Sequence, residues 1–115
     1  IGNNPKNDIY YSTGGGPEGV LAAAALSCYG GQIQGRLVLN DEEKIRAKKL
    51  GINDFNKKYN LEDMVKGDII FCATGVTNGD LTNGVKDLGN EYEVNTFALH
   101  KSKNINKIVK NIYNK

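Results

Sequence analysis

The chain lacks several features that would have named its partners at once. It has no marked charge of one sign: 15 basic and 13 acidic residues leave a net charge of +2 over 115 residues. That balance argues against nucleic acid or an anionic membrane surface as partner. No apolar run approaches the length of a membrane span, and the first residues do not read as a signal peptide. Cysteine is scarce: Cys28 and Cys72 sit in apolar runs of different type, so both are expected as reduced core residues of a cytoplasmic protein. Methionine is missing from the start, which is Ile1; the expectation is the tail of a longer protein. What remains is ordinary for one globular domain over residues 1–115, with 39% hydrophobic and 24% charged residues.

Along the chain, apolar patterning and turn residues alternate. Asp8 to Thr13 is β-branched and aromatic, and three glycines cut it off, which predicts a strand running into a tight turn. Pro17 then marks a helix start, Val20 to Cys28 is apolar and alanine-rich, and Gly30-Gly31 stops the run. A second strand is expected over 32–39. A helix is expected over 41–50, acidic at its start, basic at its end and capped by Gly51, with Ile45 and Leu50 facing inward.

Leu61 to Val65 predicts a short helix, and Asp68 to Ala73 a buried, parallel strand ending at Thr74-Gly75. Residues 76–88 are rich in turns, and 91–99 alternate as a strand. Ile105, Ile108, Val109 and Ile112 suit either a helix or a returning hairpin strand. Strands alternating with helices predict an α/β class, a layered sandwich around a mixed, largely parallel sheet.

The chemistry concentrates in Gly14-Gly15-Gly16-Pro17-Glu18-Gly19. The first N–H groups of a helix have no internal partners, the helix dipole adds positive potential, and glycines let an anion approach the backbone. The same residues also make an unremarkable tight turn. Gly14, Gly16 and Gly19 further satisfy the G-x-G-x-x-G spacing of a dinucleotide turn, with Asp41 about 20 residues on. Against that, Pro17 removes one N–H donor and Glu18 would repel a bare pyrophosphate. A cation between Glu18 and a phosphate converts that repulsion into a bridge, and Mg²⁺ and Mn²⁺ favour such oxygen ligands. Metal-assisted phosphate chemistry is the better reading, with the other ligands supplied from elsewhere.

The stretch from Gly14 to Leu26, followed by Gly30 to Leu37, resembles the C-terminal region of class II fructose-1,6-bisphosphatases. Lys49 to Ile52, Leu61 to Asp68 and Ala73 to Leu81 keep that family's order and spacing, so the likeness runs to about Leu99. The resemblance implies the layered fold of the lithium-sensitive sugar phosphatases. It implies hydrolysis of the 1-phosphate of fructose 1,6-bisphosphate in gluconeogenesis, with Mn²⁺ or Mg²⁺, and in some relatives of sedoheptulose 1,7-bisphosphate. It carries a metal-ligand role onto Glu18 and substrate contact onto Gly15, with Gly16 beside it where the family usually has alanine. It also implies that this chain is roughly the last third of such an enzyme. The N-terminal remainder would be its partner within a homo-oligomer, and would hold the missing ligands and the residues that orient the attacking water. The isolated chain should then be inactive. The alternatives are a nucleotide-binding module using the same turn, and a non-catalytic assembly domain.

Other residues earn plainer expectations. Thr74 is read as a turn-capping hydroxyl and Arg36 as a member of a structural ion pair. One of Tyr10 and Tyr11 should pack inward. His100 and the lysines of the tail are read as solvated surface.

Overall fold

The computed structural model describes residues 9–115. Helix α1 spans Gly16–Tyr29. Gly15, extended at φ −68° and ψ 154°, precedes its first turn, and Pro17 falls at the second helical position, one residue later than its sequence signal suggests. Gly30 ends the helix in the left-handed region at φ 69°, and the Gly31 N–H donates to the Leu26 carbonyl at 2.9 Å. Helix α2, Asp41–Lys49, starts with a reciprocal cap. Glu43 N–H donates to Asn40 Oδ1 at 2.9 Å, and Asn40 N–H to Glu43 Oε2 at 2.8 Å. Gly51, at φ 85°, closes that helix as expected. Its inward residue is Ala47; Ile45 and Leu50 are 58% and 81% exposed, a correction to the sequence reading.

Two short strands, β1 (Gln34–Gly35) and β2 (Tyr59–Asn60), pair antiparallel, and α3 (Leu61–Met64) follows directly. The strand expected over 32–39 is therefore reduced to that two-residue bridge, because β2 offers a partner no longer than two residues. The larger sheet holds β3 (Ile70–Thr74), β4 (Lys86–Asp87), β5 (Glu91–His100) and β6 (Ile105–Asn114). Strand β5 is central, flanked by β3 and β4 on one side and by β6 on the other.

The α/β class is borne out. Every strand pair among the described residues is antiparallel, however, so the largely parallel character expected of the sheet is not seen among them. Strand β3 is likewise an antiparallel edge strand with Ile70, Cys72 and Thr74 exposed, rather than a buried parallel one. Cys72 is thus outside the core, while Cys28 is part-buried with its Sγ 3.8 Å from the Ile69 carbonyl, and burial pushes its thiol pKa up; both are free thiols.

The tail resolves as a strand. Asn104, at φ 49°, reverses the chain after Lys101, and Ile105 to Asn114 then pairs with the full length of β5, from His100 back to Glu91. A complete hydrogen-bonded partner is available next door, and the β-branched residues of this segment suit a pleated surface better than an isolated helix.

One face of this sheet carries the core. Ala25 of α1 packs on Phe97 and Leu99 of β5, with Cys28, Tyr29 and Phe71 around them. The small alanines let the helix backbone approach the sheet closely. Beyond β3 the chain folds into a tight loop whose two arms touch backbone to backbone at Gly75 and Gly84. A Cβ on Gly84 would lie 2.7 Å from the Thr77 Cα and the Val76 carbonyl oxygen. The radius of gyration, 17.7 Å, exceeds the roughly 13 Å of a compact 100-residue domain, so the described chain is elongated around a small core.

Residues 9–15 form no strand. Ile9, Tyr10 and Tyr11 are 86%, 83% and 93% exposed, so neither tyrosine packs inward. The expected start of that strand, Asp8, lies outside the described residues. A strand persists only where a neighbour completes its hydrogen bonds, and none of the described strands runs beside this segment.

Candidate functional site

The glycine turn is built as the start of α1. The first intrahelical bond runs from the Gly19 N–H to the Gly15 carbonyl at 3.1 Å. The N–H groups of Gly16 and Glu18 therefore have no acceptor within the helix, and Pro17 between them has no N–H to offer. Hypothetical Cβ atoms on Gly14, Gly16 and Gly19 would meet nothing within 4 Å, so the backbone here is open to an approaching group. Gly15 differs: a Cβ there would collide with Oε2 of Glu18. The Glu18 carboxylate is folded back over the Gly15 backbone, on the same turn as the free N–H groups.

This turn brings a carboxylate and N–H donors together at an exposed helix start. The donors attract an anion, aided by the dipole of a helix of 14 residues. The carboxylate repels one unless a cation lies between. Glu18 fits a divalent metal as a single oxygen ligand. Among the described residues no group of three or more His, Cys, Asp or Glu converges on a metal position. The turn unites the three residues picked from sequence: Gly15 at the cap, Gly16 at the first helical position and Glu18 at the third.

With that geometry in place, likeness to known proteins decides the lineage. Residues 1–113 match the family model described as bacterial fructose-1,6-bisphosphatase, glpX-encoded. The chain belongs to this family. A relative from Escherichia coli (strain K12), fructose-1,6-bisphosphatase 2 class 2, is 36% identical over 112 residues, covering 84% of this chain and 34% of its own length. A fructose-1,6-bisphosphatase class 2 from Haemophilus influenzae (strain ATCC 51907 / DSM 11121 / KW20 / Rd) is 40% identical over 116 residues, or 88% of this chain and 35% of its own. A D-fructose 1,6-bisphosphatase class 2/sedoheptulose 1,7-bisphosphatase from Synechococcus sp. (strain JA-3-3Ab) is 35% identical over 100 residues, covering 75% and 29% respectively. The chain thus spans about a third of the length of the curated relatives it matches.

The dinucleotide reading of the same turn loses its framework. Asp41 is the first residue of α2, exposed and 3.4 Å from Lys44 Nζ, rather than at the end of a parallel strand following α1. The segment after α1 forms only the antiparallel bridge to β2.

Thr74 does not cap a turn: its Oγ1 lies 2.9 Å from Oγ1 of Thr96 across the β3–β5 pair. Arg36 forms no ion pair among the described residues and instead lines a shallow hollow with Leu37, Lys44 and Phe55. The tail lysines are mostly surface, although Lys110 pairs with Glu93 at 3.2 Å and Lys115 with Asp87 at 2.7 Å. Those contacts hold both carboxyl groups below their ordinary pKa values.

His100 departs furthest from its sequence reading. Its side chain is only 15% exposed, and Nε2 lies 2.7 Å from Asp68 Oδ2 and 3.2 Å from Ser102 Oγ. The trio superficially suggests a nucleophilic triad, but the connectivity is wrong. Ser102 donates its hydroxyl to Asp68 at 2.7 Å, and aspartate and serine meet the same imidazole nitrogen. The Ser102 hydroxyl, then His100 and the Ser102 N–H, hold the Asp68 carboxyl well below the usual carboxylate range. This is a structural staple between the approach to β3 and the β5–β6 turn. No short-range motif marks a pair 32 positions apart, so sequence could not have shown it.

Proposed function

We propose that this chain supplies one metal ligand and part of the phosphate site of a metal-dependent phosphatase. That enzyme would hydrolyse the 1-phosphate of fructose 1,6-bisphosphate, releasing inorganic phosphate. The observation that carries the reading is the Glu18 carboxylate lying over Gly15 at a helix start whose N–H groups lack internal acceptors. Family membership and the printed names of the relatives support the substrate, and the Synechococcus name supports sedoheptulose 1,7-bisphosphate as a second one.

In this reading Glu18 holds the cation, and the Gly16 and Glu18 N–H groups orient and partly neutralise the phosphate. Gly16 lets the sugar phosphate approach the backbone without steric obstruction, and Gly15 beside it leaves room for the Glu18 carboxylate. Bound Mn²⁺ or Mg²⁺ would supply Lewis-acid charge neutralisation and lower the pKa of the attacking water. One carboxylate is too little for such a site, so residues 9–115 alone are proposed to be inactive.

The test is phosphate release from fructose 1,6-bisphosphate by the intact protein with added Mn²⁺, compared with Glu18→Gln. We expect kcat/KM to fall by more than about 100-fold, beyond the typical effect of losing a group that merely supports a ligand. The Mn²⁺ concentration for half-maximal rate should rise as well. Equal rates and equal Mn²⁺ dependence in both proteins would defeat the assignment of Glu18. A folded intact protein without metal-dependent hydrolysis would favour an assembly role, and saturable NADH binding would restore the dinucleotide reading.

A further inference from the structure

The open edge of β3 and the unpaired segment just before the glycine turn are complementary. Two bonds set which backbone groups of β3 face β5: Gly75 N–H to the Asn95 carbonyl at 3.1 Å, and Lys101 N–H to the Ile69 carbonyl at 2.9 Å. Antiparallel pairing alternates, so Phe71 and Ala73 also turn their N–H and carbonyl groups to β5. Ile70, Cys72 and Thr74 turn theirs to the other edge, where no described strand pairs with them. The sequence of this edge, Ile70-Phe71-Cys72-Ala73-Thr74, carries no charge and no proline. It has none of the devices that normally protect an exposed edge from strand addition.

Residues 9–13, Ile-Tyr-Tyr-Ser-Thr, have strand composition yet form no regular element and pair with no described strand, with both tyrosines more than four-fifths exposed. They lead straight into α1, whose direction over the sheet is known. Cys28, near its C-terminal end, lies against Ile69 just before β3, and Ala25 packs further along on Phe97 and Leu99, the partners of Ala73 and Phe71. Helix α1 therefore runs antiparallel to β3, and a strand entering α1 through a tight turn must run parallel to β3. At the entering end of α1, Val20 and Leu21 are 45% and 57% exposed and lack a floor.

We infer that in the intact protein residues 9–13 form a strand that adds in parallel to the free edge of β3. The pairing would satisfy the outward groups of Ile70, Cys72 and Thr74. It would also set the turn carrying Glu18 beside Thr74-Gly75, at the carboxyl ends of two parallel strands, where α/β proteins form ligand crevices. The pairing holds or fails independently of the phosphatase reading, because nothing in it depends on metal or substrate.

NMR on the isotope-labelled intact protein tests it directly. The Cys72 and Thr74 amides should exchange with solvent more slowly than exposed coil amides by on the order of 100-fold, and NOEs should connect them to residues 9–13. Tyr10→Pro and Tyr11→Pro each delete one of two adjacent N–H groups, of which one must face β3. One variant should accelerate exchange at Cys72 and Thr74 while Phe97 and Val109 stay slow, which certifies an intact sheet. Exchange at the coil rate in the unsubstituted protein would overturn the inference, as would NOEs from Cys72 to a different segment. Protection that disappears on dilution would assign the edge to a second copy and overturn it equally. If the proline variants fail to fold, the NOEs alone decide.

Discussion

His100 Nε2 lies 2.7 Å from Asp68 Oδ2, joining residues 32 positions apart at the mouth of the β5–β6 turn. The same carboxylate accepts the Ser102 hydroxyl at 2.7 Å, the Ser102 N–H at 2.9 Å and the Ile69 N–H at 3.0 Å. Asp68 is thus the shared acceptor that ties the approach to β3 to the hairpin turn.

Asp68→Asn should lower the thermal midpoint measurably at neutral pH, because an amide replaces one acceptor oxygen of this hub with a donor. The folded-state pKa of Asp68 is depressed by its hydrogen bonds. Its contribution is therefore present above the unfolded value, about 3.9, and is lost as pH falls below it towards the folded value. Thermal melts of the two proteins should differ most near pH 7 and converge under strongly acid conditions. A constant gap from pH 7 down to the acid limit would reject the linkage.

Gly15→Ala should leave the fold nearly untouched, since the collision it creates is with the mobile end of Glu18 rather than with backbone. Stability should fall by no more than about 1 kcal/mol, the scale of replacing a helix-capping residue by alanine. Displacing the carboxylate should nevertheless weaken the response to Mn²⁺, read as a several-fold higher half-saturating concentration in phosphate release. A variant with unchanged metal response would show that the position of Glu18 over Gly15 is unimportant.

Gly84→Ala tests the loop beyond β3. The added methyl would meet the Thr77 Cα and the Val76 carbonyl oxygen at 2.7 Å, and backbone cannot swing aside as a side chain can. Urea unfolding should show a loss of about 1–3 kcal/mol, typical of overpacking. Gly79→Ala, where a Cβ meets nothing within 4 Å, provides the neutral comparison.

Local signals made much of this protein legible in advance. Pro17 and Gly30 bracket α1, the acidic run from Asp41 and Gly51 bracket α2, and the alternation of residues 91–99 marks β5, since caps and periodicity act over a few residues. The nearness of Glu18 to the helix start also follows from its place in the chain, one residue after Pro17. The family likeness, too, resides in the order of residues.

Pairing is what the chain order left open. The segment 105–114 suited helix or strand equally until β5 offered it a complete ladder. The apolar run Ile70 to Ala73 reads as buried, yet it sits at a sheet edge because only β5 runs beside it among the described residues. The lone histidine reads as surface until the hairpin carries it back to Asp68. Helix starts and turns are decided by neighbours within four residues, so sequence determines them. Strand direction, edge or centre, and the partners of a side chain depend on segments tens of residues away, and only the tertiary structure decides those.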